Sequence, residues 1–185
     1  MPVTLAELWL PILVSAVFVF IASNILWMAL PFWHSRDYRT TGNDAAYIAA
    51  SSSLQPGMYM FPKMEWKTMT PEQQKERAAG PSALMYLKNP SAFSFPKTLA
   101  TYFLYTIVGS FCAAYIAAET LARGTEYMRV FQIAGATGMI FWAFGTNVSD
   151  SIWYGKPWGV AIKHVIDGLI FGLLIGGTFG WLWPA

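Results

Sequence analysis

At 185 residues, with 55% hydrophobic, 17% aromatic and only 12% charged side chains, the chain falls well below the roughly 25% charge of a soluble domain and reads as a polytopic membrane protein. A net charge of +2 without any lysine- or arginine-rich block excludes the electrostatic footprint of a nucleic-acid partner. The lone cysteine, Cys112, excludes an internal disulfide.

The first apolar run, Trp9–Leu30, holds no charge and is long enough to cross a hydrocarbon layer of roughly 30 Å. It is too long for a signal-peptide core and lacks a small-residue cleavage site, so a spanning helix is expected. Pro11 falls in its first turn, where a missing N–H costs nothing, and Pro31 marks its end. Asn24 is its one strongly polar residue, of the kind that hydrogen-bonds a neighbouring membrane helix.

From residue 31 to 97 the chain turns polar, aromatic and proline-rich, and one long irregular loop over the helix ends is expected. Asn43–Leu54 can form a short helix, with Thr41 or Asn43 as cap. PGMYMFP, residues 56–62, demands a turn. Thr70–Ala78 carries a capping box, Thr70 at the cap, Pro71 at the first helical position and Gln73 three residues on.

Thr98–Leu121 is the second expected span, with Gly109, Ala113 and Ala117 in a small-residue row and Ser110, Ala114 and Ala118 beside it. Cys112, at its middle, reads as a buried and inert thiol. A turn through Arg123-Gly124 leads to a third span, Val130–Val148, with small residues at Ala134, Gly135 and Gly138. The fourth, Val160–Trp183, repeats glycine at every fourth position, Gly168, Gly172, Gly176 and Gly180. At helical spacing these make one flat groove for close packing. Each such glycine costs about 1 kcal/mol in a soluble helix, but hydrocarbon enforces the helix, because every backbone polar group must bond internally there. The fold class is therefore all-α, a bundle of four transmembrane helices with the long loop between the first and second.

Basic residues near the helix ends set the expected orientation. The loop face has Arg36, Arg39, Lys88, Lys97 and Lys156, the opposite face Arg123 and Arg129, which puts the loop in the cytoplasm and both termini outside. On LPILVSAVFVFIAS at 10–23, HSRDY at 34–38, PGMYMFP, SIWYGKPW at 151–158 and DGLIFGLLIGGTFGWLWP at 167–184, the chain resembles a group of small bacterial integral membrane proteins. The resemblance implies a bacterial inner-membrane bundle; it carries no activity and no site residues.

Chemistry, if any, belongs where four helix ends converge. His34 and Asp37 follow the first helix, Lys97 and Tyr102 begin the second, Ser149 and Asp150 end the third, and Lys163, His164 and Asp167 open the fourth. Asp37, Asp150, Lys163, His164 and Asp167 form the expected polar cluster. Lys163 and Asp167, four apart on one helix face, suit an ion pair, and an acid at that depth needs a partner. The leading reading is a self-neutralised seam that fixes helix register. An ion pathway through Asp167, Lys163 and His164 is the alternative, although only Thr178 adds polarity further along the last helix. A metal or haem site on His34 and His164 is a third, without a ligand-pair motif to support it. Met58, Met60, Met64 and Met69 offer soft thioethers suited to Cu(I), yet Tyr59, Phe61 and Trp66 are interleaved with them, as where methionine is flexible packing.

The Asn147-Val148-Ser149 sequon is a weak match. No phosphate-cradling loop, nucleophile elbow or cysteine cluster is present, so neither an enzyme nor a cofactor is expected. The expected partners are the lipid bilayer and other membrane-protein subunits or further copies of the chain. The expected role is a non-catalytic accessory or scaffold subunit of a larger complex, respiratory or photosynthetic in type. A small transporter or ion-conducting homo-oligomer is the alternative.

Overall fold

The computed structural model describes residues 2–63, 67–89 and 93–185, apart from the side chains of Thr146 and Asn147. In chain order, a 3-10 turn Leu5–Leu8 leads into α1 (Trp9–Asn24) and a π-helical turn Ile25–Ala29. Then come α2 (Asp44–Ser51), β1 (Gly57–Phe61), α3 (Pro71–Ala78) and β2 (Ala83–Leu87). The chain finishes with α4 (Phe95–Thr120), α5 (Tyr127–Ala143), α6 (Thr146–Trp153) and α7 (Trp158–Leu182). It divides into two compact units, one of Met1–Tyr38 with Phe95–Ala185, the other Arg39–Ser94.

The first unit is helical, and three of its helices are long and apolar enough to cross a membrane: Leu5–Ala29, Phe95–Thr120 and Trp158–Leu182. The Glu7 carboxylate caps the first, accepting from the Thr4 N–H at 2.9 Å and the Thr4 hydroxyl at 2.8 Å. That helix closes with a wide turn, Leu30 N–H to Ile25 carbonyl at 3.0 Å, immediately before Pro31, which has no N–H to continue the ladder. Asn24 does not reach a neighbour; its amide donates to the Phe20 carbonyl at 2.7 Å, because a short polar side chain finds the carbonyl four residues back within its own helix.

The small residues of α4 that are buried are Gly109, Ser110, Ala113, Ala114 and Ala117, and the three alanines share a core with Leu8, Ile12 and Val19. The expected third span is not continuous. It begins earlier, at Tyr127, stops at Ala143, and resumes as α6; the break falls at Gly145, a residue that weakens a helix interior by about 1 kcal/mol.

The glycine row of α7 lies against α5. A Cβ on Gly168 would stand 2.6 Å from the Ala143 nitrogen, one on Gly172 2.7 Å from the Gly135 carbonyl oxygen, and one on Gly176 2.6 Å from the Phe131 carbonyl oxygen. On Gly180 it would meet the Tyr127 ring at 2.8 Å. The closeness is mutual, since a Cβ on Gly135 would meet the Gly172 oxygen at 3.0 Å. Phe171, Ile175 and Phe179 of α7 are buried in the core with residues of α1 and α4.

At one end of this unit the residues before α1, the turn after α4 and the residues after α7 are tied together. Pro2 bridges Ala122, Gly124 N–H donates to the Pro184 carbonyl at 2.9 Å, the Trp183 indole donates to the Ala122 carbonyl at 3.0 Å, and Arg123 pairs with Glu7. Gly124 has φ +73°, which explains glycine at the centre of this turn. The residues after α1 and the start of α7 meet at the opposite end, so α1, α4, α5 and α7 alternate in direction.

The second unit is not the irregular loop that was expected. β1 and β2 pair antiparallel, with Met58 opposite Tyr86, Tyr59 opposite Met85 and Met60 opposite Leu84. The strands are separated by α3, so no two-residue turn announces the pairing. α2 is capped by Asn43, whose side-chain oxygen accepts from Ala46 N–H at 3.3 Å. α3 is capped reciprocally, Gln73 N–H to the Thr70 hydroxyl at 3.3 Å and Thr70 N–H to the Gln73 side chain at 3.0 Å. No described residue of this unit is buried.

Candidate functional site

The turn that follows Pro31 carries Trp33, His34 and Asp37, shaped by Trp33 N–H to Leu30 O and Asp37 N–H to His34 O. Its side chains dock on the first turns of α7. His34 lies between two carboxylates: Nδ1 is 2.6 Å from Asp37 Oδ2 and Nε2 is 2.7 Å from Asp167 Oδ2. The other Asp167 oxygen accepts from the Trp33 indole at 2.7 Å. Lys163, one turn before Asp167, donates to the Trp33 carbonyl and to Asp37. Trp27 stacks flat on the His34 ring, centroids 3.9 Å apart at 12°, and the Lys163 ammonium stands 5.9 Å over Trp33. The His34 and Asp167 side chains are 1% and 4% exposed, so this is a desolvated network.

Its polar groups are paired: His34 bridges Asp37 and Asp167 through its two ring nitrogens, Trp33 donates to the other Asp167 oxygen, and Lys163 donates to Asp37. Such pairing is what a buried polar network requires, because a half-satisfied one costs more than an apolar core. The arrangement ties the exit of the first helix to the last helix and fixes their register.

Burial works to raise the Asp37 carboxyl, but hydrogen bonds from Lys163 and His34 outweigh it and hold the group below its ordinary value of 3.8. A carboxyl depressed in the folded state adds stability that is present above its unfolded value and lost as pH falls through the folded one. The unfolding temperature in detergent should therefore drop with acidification below about pH 4, and Asp37→Asn should flatten that drop. An equal acid response in wild type and variant would remove Asp37 from the account.

The sequence-based expectations meet this geometry unevenly. The Lys163–Asp167 pair does not form; Lys163 turns to Asp37 and Asp167 takes Trp33 and His34, because the turn after Pro31 offers donors pointed at Asp167 from outside the helix. His164 stands beside the seam with its ring 5.3 Å from His34 and 5.5 Å from Trp27, and makes no hydrogen bond among the described residues. The Asp150 carbonyl accepts from Tyr154 and Lys156 N–H groups, and no described ion pair joins its side chain to the seam.

His34 has both ring nitrogens on carboxylates, and among the described residues no group of three His, Cys, Asp or Glu side chains could hold a metal ion. Met58 and Met60 lie on one face of β1; Met64 is outside the described residues, as is the Asn147 side chain of the sequon. Trp27 and Trp33 were missed as members of the site. The one sequence signal for Trp33 is its position beside His34, directly after a helix-ending proline.

A comparison of the chain with protein families, curated proteins and solved structures finds no match.

Proposed function

We propose that this chain is a non-catalytic accessory subunit of a larger complex in a bacterial inner membrane, crossing the bilayer four times. The fourth crossing is α5. Its 17 residues extend about 25 Å, at the short limit of a span, and it runs the same end-to-end course as α7, pressed to it along the glycine row. The excess of basic residues at the helix ends that flank residues 31–97, Arg36, Lys97 and Lys156 against Arg123 and Arg129 at the other ends, supports a cytoplasmic position for residues 31–97.

The observation that carries the reading is the outward apolar face of the hairpin. Met58, Met60 and Tyr86 are 68%, 47% and 63% exposed, share one face with Leu84 through the strand register, and include no charge. A two-stranded hairpin is marginal by itself in water, and methionine and tyrosine are enriched where proteins meet. The small-residue rows of α4 and α7, by contrast, are occupied within the chain.

The test is native mass spectrometry of the protein extracted from its own membranes in mild detergent, with Met58→Glu/Tyr86→Glu alongside. Wild type should leave with larger subunits. The double variant should lose them while keeping its helical content and unfolding temperature. A homo-oligomer with no other chain, or a complex indifferent to the two substitutions, would overturn the reading.

A further inference from the structure

The helical unit holds a cleft of about 530 Å³, the size of a small-molecule site. One wall is a linked run of aromatics. Trp142 meets Tyr105 edge-on at 5.0 Å, Tyr102 at 6.3 Å and Phe171 at 5.4 Å. The lining also includes Trp27 and a set of polar groups, among them Asn24, His164 and Asp167. Trp27 and His164 also line a smaller cavity of about 180 Å³, together with Tyr38 and Lys156, so the polar end of the cleft adjoins a second opening.

His164 is an imidazole there that the seam does not use. Asp167 has both oxygens committed, and one Asn24 amide hydrogen goes to Phe20, leaving its carbonyl oxygen and second hydrogen. The half-buried His164 ring has no protein hydrogen bond among the described residues, and the buried Trp142 indole N–H in the same lining has none either, whereas a buried polar group is ordinarily paired. No Lys or Arg lines the cleft, and Asp167 does. A phosphate headgroup would therefore find repulsion and no counter-charge. The walls ask for a flat ring and the floor for neutral oxygen atoms.

We infer that this cleft binds the headgroup of a lipid-soluble quinone-class molecule, its ring against Tyr102, Tyr105 and Trp142 and an oxygen hydrogen-bonded to His164. The aromatic walls supply stacking and area. His164 can donate to a carbonyl or accept from a hydroxyl as its tautomer changes, so both the quinone and the quinol form fit. Only binding is assigned; the site needs no electron transfer.

Trp27 and Trp142 report the site by fluorescence. A short-chain benzoquinone with a decyl tail, titrated into the purified protein in detergent, should quench tryptophan emission saturably. His164→Leu should weaken binding about tenfold, the size of one desolvated hydrogen bond, and His164→Gln should restore much of it. Thr98→Trp, at the exposed rim, should block the cleft without touching the core. Circular dichroism and unfolding temperature should match wild type for each. Extraction of the purified protein into organic solvent should yield a borohydride-sensitive quinone spectrum. Non-saturable quenching, quenching unchanged in both His164→Leu and Thr98→Trp, or extraction of phospholipid alone would overturn the assignment.

Discussion

Gly172→Leu should leave no folded protein in detergent, and Gly172→Ala should already destabilise it by about 1–3 kcal/mol, the cost of overpacking a closed interior. A Cβ at this position would stand 2.7 Å from the Gly135 carbonyl oxygen, 2.8 Å from Met139 Cβ and 2.9 Å from the Met139 nitrogen. Two of these are backbone atoms of a neighbouring helix, which can yield only if α5 and α7 separate. Gly177→Ala is the matched control: it lies on the same helix, its nearest neighbour is the Tyr127 hydroxyl at 3.8 Å, and it should be neutral or slightly stabilising. Equal unfolding temperatures for the two alanine variants would mean that α5 and α7 do not meet along the glycine row.

Asp167→Asn should cost about 1–3 kcal/mol although it keeps the side chain's shape. Asp167 accepts from the Trp33 indole and shares a second hydrogen bond with His34 Nε2, whereas an asparagine that keeps its oxygen on Trp33 must turn its N–H groups toward the His34 ring. Asp167→Leu, which removes a buried partner outright, should cost about 3–5 kcal/mol. Lys163→Met should cost less than Asp167→Leu, because its side chain is 24% exposed and water can replace part of what is lost.

The pairing pattern gives a sharper test through double-mutant cycles. Lys163 should couple to Asp37 by about 1 kcal/mol or more and to Asp167 by less than about 0.5 kcal/mol. The reverse order would restore the simple i,i+4 pair along α7 and dissolve the trio of Asp37, His34 and Asp167. An ion pathway makes a different demand, that Asp167→Asn abolish flux in a protein that remains as stable as wild type.

The capping boxes show how far local chemistry reaches. Thr70, Pro71 and Gln73 specify the start of α3 within four residues, and Asn43 specifies that of α2, because the partners are adjacent in the chain. The hairpin between Gly57–Phe61 and Ala83–Leu87 was not legible in the same way. PGMYMFP looks like a turn, and its strand partner lies beyond α3, so neither a hairpin turn nor local alternation marks the pair. The break at Gly145 was equally hidden, since the apolar run continues through it and one glycine is an equivocal breaker in a membrane helix.

By itself, the sequence marked four apolar spans, of which three are helices of spanning length, and a glycine face made for close approach, because length, polarity and a four-residue repeat are properties of single segments. Only the tertiary structure decided which helix fills that face and which groups satisfy Asp167. Trp33 and His34 lie 134 and 133 positions away along the chain, and Lys163, with the ideal spacing, is drawn to Asp37. Which donor reaches a buried acid depends on the angle at which a chain segment leaves one helix and crosses another. That angle is set by the close approach of backbones throughout the bundle, and no local pattern of residues contains it.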